Sequence, residues 1–227
     1  MKLLSLEDFA KRIDHTNLKP FATEKDIITT IEEAKKYNFR GVCIPLIYVP
    51  LARRLLEESD VKVVTVIGFP LGYYPTEVKV REAKLAAEWG ADEIDMVMNV
   101  SLFKNGKREY VVNDIRSVIE SSGLPTKVII ETSYLTEEEI KDASILVADS
   151  GAFCVKTNTG FGARGVTIED IRIIRNAIGG KIKIKASGGI KTAEMAIALI
   201  REGADIIGAS AGVKLYEEYR RMLEKKL

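Results

Sequence analysis

Two lysines in this 227-residue chain stand where apolar runs meet sharp turns. Lys156 ends Phe153-Cys154-Val155 and is followed at once by Thr157-Asn158-Thr159-Gly160-Phe161-Gly162. Lys185 closes the KIKIK run 181–185 and leads into Ala186-Ser187-Gly188-Gly189-Ile190. Asp95 sits inside a third apolar run, EIDMVMN, 93–99. Two amines and a carboxylate suggest covalent amine chemistry. An ordinary lysine has a pKa of about 10.4, so only ~0.04% is free amine at pH 7. A second cation about 5 Å away, at an effective dielectric of ~20, costs about 3 kcal/mol, or ~2.4 pKa units. Partial burial adds to that shift. One lysine can then attack a carbonyl and form a Schiff base, with a carboxylate as proton carrier, directly or through a water. Either lysine could be the nucleophile on these grounds.

Other polar groups fall near the ends of apolar runs: Asp14, His15, Thr16, Asn99, Glu131 and Ser187. His15 is the only histidine and reads as a structural hydrogen-bonding residue. Glycine-rich loops form a second theme: Thr159-Gly160-Phe161-Gly162, Ser187-Gly188-Gly189-Ile190 and Gly208-Ala209-Ser210-Ala211-Gly212. Each alone suits a tight turn. As a set they suit a phosphate held by backbone N–H groups at helix N-termini, hence a small phosphorylated substrate.

These residues need a frame that brings them together. Eight strand candidates recur: 12–16, 41–45, 61–69, 93–99, 126–132, 153–157, 181–187 and 205–210. Most are rich in Val and Ile and do not alternate, as expected for parallel strands covered on both faces. Helical segments lie between them. Several open on capping-box pairs, namely Ser5 with Asp8, Thr23 with Asp26, Thr136 with Glu139 and Thr167 with Asp170. Three stop at Gly-Ala, at 90–91, 151–152 and 203–204. The pattern predicts a single (β/α)8 TIM barrel over 1–227 with a short N-terminal helix, and places the candidate groups at the C-terminal strand ends where barrels hold active sites. An open doubly wound sheet is the alternative, but G-x-G-x-x-G does not follow the first strand. KIKIKAS also fits an exposed edge strand, which a closed barrel lacks.

Composition narrows the partners. Hydrophobic residues make up 46% and charged residues 30%, which suits a sizeable core. The net charge of +1 and the lack of a Lys/Arg block disfavour nucleic acid or an anionic membrane surface. No apolar run reaches membrane-spanning length, and the first residues lack a signal-peptide pattern. Cys43 and Cys154 read as buried free thiols in a reducing compartment, so a cytoplasmic location is expected. The absence of glutamine and abundance of Lys, Glu and Ile resemble a heat-adapted composition.

Taken together, DHTNLKP (14–20), GVCIP (41–45), TVIGFPLG (65–72), EVKVREAKLA (77–86), EIDMVMN (93–99), KVIIET (127–132), CVKTNTGFG (154–162), KASGGI (185–190) and IGASAG (207–212) resemble the deoxyribose-phosphate aldolases in order and spacing over nearly the whole chain. The resemblance implies a class I aldolase cleaving 2-deoxy-D-ribose 5-phosphate reversibly to acetaldehyde and D-glyceraldehyde 3-phosphate. It makes Lys156 the Schiff-base lysine, Lys185 the second lysine and Asp95 the acid/base partner. It assigns substrate or phosphate contacts to Thr16, Thr159, Gly160, Gly188, Gly189, Gly208 and Ser210. No metal or cofactor is implied, and a homo-oligomer, dimer or tetramer, is expected. The chain departs from the family at Asn158, often Ser, and at Ala209-Ser210-Ala211, often Thr-Ser-Ser. Fewer hydroxyls then reach the last loop, while its backbone and Ser210 remain. Two rival functions are a Schiff-base barrel acting on a ketose phosphate and a non-catalytic barrel that binds phosphorylated ligands.

Overall fold

The computed structural model describes residues 4–225. Eight parallel strands close in chain order into a barrel: β1 (Ile13–Thr16), β2 (Gly41–Ile44), β3 (Lys62–Ile67), β4 (Glu93–Val97), β5 (Thr126–Ile129), β6 (Cys154–Lys156), β7 (Lys183–Ser187) and β8 (Ile206–Ala209). The helices are α1 (Leu6–Ala10), α2 (Glu24–Lys36), α3 (Val49–Leu55), α4 (Thr76–Glu88), α5 (Val100–Lys104), α6 (Arg108–Ser122), α7 (Glu137–Asp149), α8 (Ile168–Ile178), α9 (Ala193–Glu202) and α10 (Gly212–Glu224). This is the expected TIM barrel, with α1 as the short N-terminal helix. None of the described helices is long and apolar enough to cross a membrane.

Local chemistry fixes the helix starts. Thr23, Thr136 and Thr167 each accept from the third helical N–H while the acidic residue there returns a bond to the cap. Those reciprocal bonds satisfy two orphan donors per helix. Ser5 caps α1 by accepting from the Asp8 N–H, without the return bond to the cap backbone. Past α4 and α7, Gly90 and Gly151 take φ values of 91° and 85°, so the chain reverses toward the next strand.

The strands are shorter than their apolar runs. Asn99, expected in β4, instead caps α5 by accepting from the Leu102 N–H. Thr132 opens a short 3-10 turn. Lys181 and Ile182 precede β7, which starts at Lys183.

The period of two divides the side chains between two interiors. Val42, Ile94, Met96, Val128, Val155 and Ile207 join one continuous apolar core with the helices. The opposite faces fill the barrel with charge. Asp14, Glu93, Asp95, Lys127 and Lys185 have no exposed surface. Isolated charges there would be prohibitive, so each needs partners. Arg40 bridges Asp14 at 2.8 Å and Glu93 at 2.6 Å. Lys127 bridges Glu93 at 2.7 Å and Asp95 at 2.8 Å. A second buried pair lies outside the barrel. Lys79 on α4 meets Asp114 on α6 at 2.6 Å and donates to the Val97 carbonyl at 3.0 Å, tying both helices to the end of β4.

Cys43 and Cys154 are buried free thiols, and burial pushes the Cys154 thiol up to about 12. His15 points away from the barrel axis. Its Nε2 lies 2.7 Å from Glu33 on α2, and its ring packs on Phe39.

Candidate active site

Lys156 is the last residue of β6, and its register partners are Ile129 on β5 and Lys185 on β7. Adjacent registered residues point to the same side, so both lysines enter the barrel near its C-terminal mouth. Asp95 on β4 receives them. Its Oδ2 accepts from Lys156 Nζ and Lys185 Nζ, both at 2.8 Å, and its Oδ1 accepts from Lys127 Nζ at 2.8 Å. Lys185 also donates to Asp14 at 2.5 Å. The site thus has three lysines where two were expected. Lys127 was hidden inside KVIIET, where a single strand-interior lysine resembles a solvated strand residue; its only signal was its place in a Val/Ile run.

Charge decides the roles these groups can take. Burial works against the Lys185 ammonium, but Asp14 and Asp95 outweigh it and hold its pKa above the ordinary value. Lys127 is likewise raised, with Asp95 overcoming burial. For Asp95, burial favours the neutral acid, yet Lys127, Lys156 and Lys185 hold it well below the usual carboxylate range. The carboxylates Asp14, Glu93 and Asp95 are matched by Arg40, Lys127 and Lys185. Lys62 also reaches Glu93, but from a half-exposed position where water screens it. A charged Lys156 is therefore the surplus cation, and a neutral Lys156 leaves the interior balanced.

Above this cluster lies a cleft of about 420 Å³. Lys156, Thr16, Thr159, Gly160, Gly188, Gly189, Gly208 and Ser210 all line it, so seven expected substrate-binding positions and one lysine converge. Asp95 and Lys185 do not. They lie beneath, so any proton Asp95 exchanges with a ligand passes through Lys156 or a water. Lys19 and Lys191 also border the cleft and bring two exposed ammonium groups to it, which the sequence reading did not single out.

Gly208 does more than border the cleft, and Asn158, one of the departures from the family, lies behind it. A Cβ on Gly208 would lie 2.9 Å from Lys185 Cε and 3.0 Å from Ser187 Cβ. That glycine makes room for the Lys185 side chain as well as bordering the cleft. Asn158 is fully buried, and its Oδ1 accepts from the Thr132 hydroxyl and the Ser133 N–H, both at 3.1 Å. It joins the ends of β5 and β6 and does not border the cleft, although it packs behind Gly188, where a Cβ would meet Asn158 Cβ at 3.0 Å. Among the described residues, no cluster of three His, Cys, Asp or Glu side chains is placed to hold a metal.

The arrangement matches an aldolase family over most of the chain: the family model described as DeoC/LacD family aldolase covers residues 9–218. The chain belongs to the DeoC/LacD aldolase family. Curated members of that family align at high identity. The deoxyribose-phosphate aldolase of Thermococcus gammatolerans is 52% identical over 218 residues, covering 94% of this chain and 97% of the relative. That of Thermotoga maritima is 52% identical over 213 residues, covering 93% and 86%. Solved DeoC/LacD-like structures superpose closely. One described as QR15, an aldolase, has a TM-score of 0.92 at 43% identity, covering 96% of this chain and 98% of its own. A tetrameric deoxyribose phosphate aldolase from Aeropyrum pernix has a TM-score of 0.89 at 35% identity, covering 96% and 93%.

Proposed function

We propose that the protein cleaves 2-deoxy-D-ribose 5-phosphate reversibly to acetaldehyde and D-glyceraldehyde 3-phosphate, through a Schiff base on Lys156. One observation carries the choice of nucleophile: of the three buried lysines around Asp95, only Lys156 borders the cleft. The relatives' names support the substrate.

The free amine of Lys156 adds to the C1 aldehyde of the open-chain sugar, and loss of water gives an iminium. The proton of the C3 hydroxyl passes to Asp95 through a water. Lys127 and Lys185 stay charged and prevent Asp95 from leaving its place. The C2–C3 bond breaks, its electrons pass into the iminium, and glyceraldehyde 3-phosphate departs from the enamine. Protonation at C2 and addition of water release acetaldehyde and restore the amine. Backbone N–H groups around Gly160, Gly188 and Gly189, with Ser210, Lys19 and Lys191, offer donors for the phosphate. The reading includes catabolism of deoxyribose phosphates and a homo-oligomeric assembly, the latter supported by the tetrameric Aeropyrum relative.

Borohydride reduction in the presence of acetaldehyde tests the mechanism. A two-carbon adduct on Lys156, with turnover of deoxyribose 5-phosphate in a coupled assay unaffected by chelator, is the expected result. Turnover of ketose phosphates alone would favour the rival substrate, and a missing adduct would end the Schiff-base reading.

A further inference from the structure

Glu131 is a buried carboxylate at the mouth of the barrel that the mechanism above does not use. It follows β5 with φ 55° and ψ 68°, a left-handed conformation uncommon for a residue with a side chain. Such a backbone persists only when its surroundings hold it, and it clusters at functional sites. Here the surroundings are visible. Glu131 Oε2 accepts from both the N–H of Thr159 at 3.1 Å and its hydroxyl at 2.5 Å. Oε1 accepts from the Ser133 hydroxyl at 2.9 Å. The seat is closed by Gly162, where a Cβ would come within 2.2 Å of Ser133 Oγ and 2.6 Å of Glu131 Oε1. Glu131 is only 3% exposed, yet its partner Thr159 borders the cleft three residues beyond Lys156.

A threonine hydroxyl carries one proton. In Thr159 that proton is committed to Glu131, and the Phe161 N–H occupies one of the oxygen's lone pairs at 3.1 Å. What Thr159 has left to offer is an acceptor. Phosphate is itself an acceptor, so the Thr159 side chain cannot serve it. A substrate hydroxyl is a donor and fits. In the open-chain sugar the hydroxyls lie between the aldehyde carbon and the phosphate, the stretch that passes nearest to a residue beside Lys156.

We propose that Glu131 is a positioning residue of the aldol site, holding the Thr159 loop and fixing the Thr159 hydroxyl as an acceptor toward the sugar's hydroxyls and not its phosphate. The inference rests on the Schiff-base reading. Among the substrate or phosphate contacts expected of the cleft, it places Thr159 with the part that reads the carbon chain.

The test compares wild type with Glu131→Met, Glu131→Gln and Thr159→Val on two substrates, deoxyribose 5-phosphate and unphosphorylated deoxyribose. Borohydride trapping of acetaldehyde runs in parallel, because acetaldehyde has no hydroxyl to read. Glu131→Met should lower kcat/KM on the order of tenfold to a hundredfold. The loss should be equal on both substrates, and the acetaldehyde adduct should form as in wild type. Glu131→Gln should recover most of the loss, since one amide oxygen can still accept from Thr159. Thr159→Val should reproduce it, and carries the prediction by itself should Glu131→Met not fold. A loss confined to the phosphorylated substrate, or no loss in either Glu131→Met or Thr159→Val, overturns the inference while leaving the Schiff base intact. Failure of wild type to trap acetaldehyde removes the underlying mechanism, and the inference with it.

Discussion

Lys156 and Lys185 lie side by side in register on β6 and β7 and donate to the same oxygen of Asp95, each at 2.8 Å. Their nitrogens are therefore at most 5.6 Å apart, twice 2.8 Å. Two ammonium groups so close repel by about 3 kcal/mol at an effective dielectric near 20. Lys185 has a second carboxylate, Asp14, at 2.5 Å and Lys156 has none. Lys185 is thus the more firmly held of the two, and Lys156 is the one that shares its single carboxylate and borders the cleft.

Lys156→Ala should abolish deoxyribose 5-phosphate cleavage and borohydride trapping. The remaining charges still balance, so folding should survive. Circular dichroism and a melting curve within a few degrees of wild type check the second half. Retained turnover would show that the nucleophile is elsewhere.

Lys185→Leu should do more damage to stability than Lys156→Ala. It strips the only lysine from Asp14 and one of three from Asp95, both fully buried. Breaking a buried pair by removing one partner costs about 3–5 kcal/mol. Under conditions where the variant is folded, kcat should fall, because Asp95 loses one of the ammonium groups that hold its carboxylate in place. An unchanged kcat would remove Lys185 from the positioning of Asp95.

The pH dependence of stability follows from two signs. Asp14 and Asp95 are held below the ordinary 3.8, in each case because nearby cations overcome the effect of burial. Their contribution is complete above about pH 4 and is lost as pH falls through their lowered values, on the order of 2–3 kcal/mol for one such carboxylate. Lys185 is held above the ordinary 10.5, so its contribution is complete below that value and is lost only as pH rises well beyond it. Melting temperatures should thus show no loss from this cluster between pH 5 and pH 10. Asp14→Asn should flatten the acid fall-off; an unchanged fall-off would assign acid unfolding to other groups.

Gly208→Ala should reduce kcat more than it raises KM. The added methyl meets Lys185 Cε at 2.9 Å and Ser187 Cβ at 3.0 Å, so Lys185 must shift from the Asp95 oxygen it shares with Lys156. Overpacking of this kind costs about 1–3 kcal/mol of stability. A rise in KM with kcat unchanged would make Gly208 a phosphate contact alone.

Much of this protein is legible in its residues. The barrel follows from eight Val/Ile-rich runs and from caps such as Thr136 with Glu139 and Thr167 with Asp170, because capping and burial patterns act over a few neighbouring residues. Lys156, Lys185 and the glycine loops stand out because each lysine ends an apolar run directly before a glycine-rich turn. The three-dimensional arrangement decided the rest. Which lysine meets the cleft depends on depth along the barrel axis. The third lysine at Asp95, Lys127, comes from another strand, 32 residues away. The polarity of the Thr159 hydroxyl depends on Glu131, 28 residues earlier in the chain. Electrostatic balance is a sum over all buried neighbours, and the chain order does not carry that sum: it exists only once closure of the barrel has set the distances.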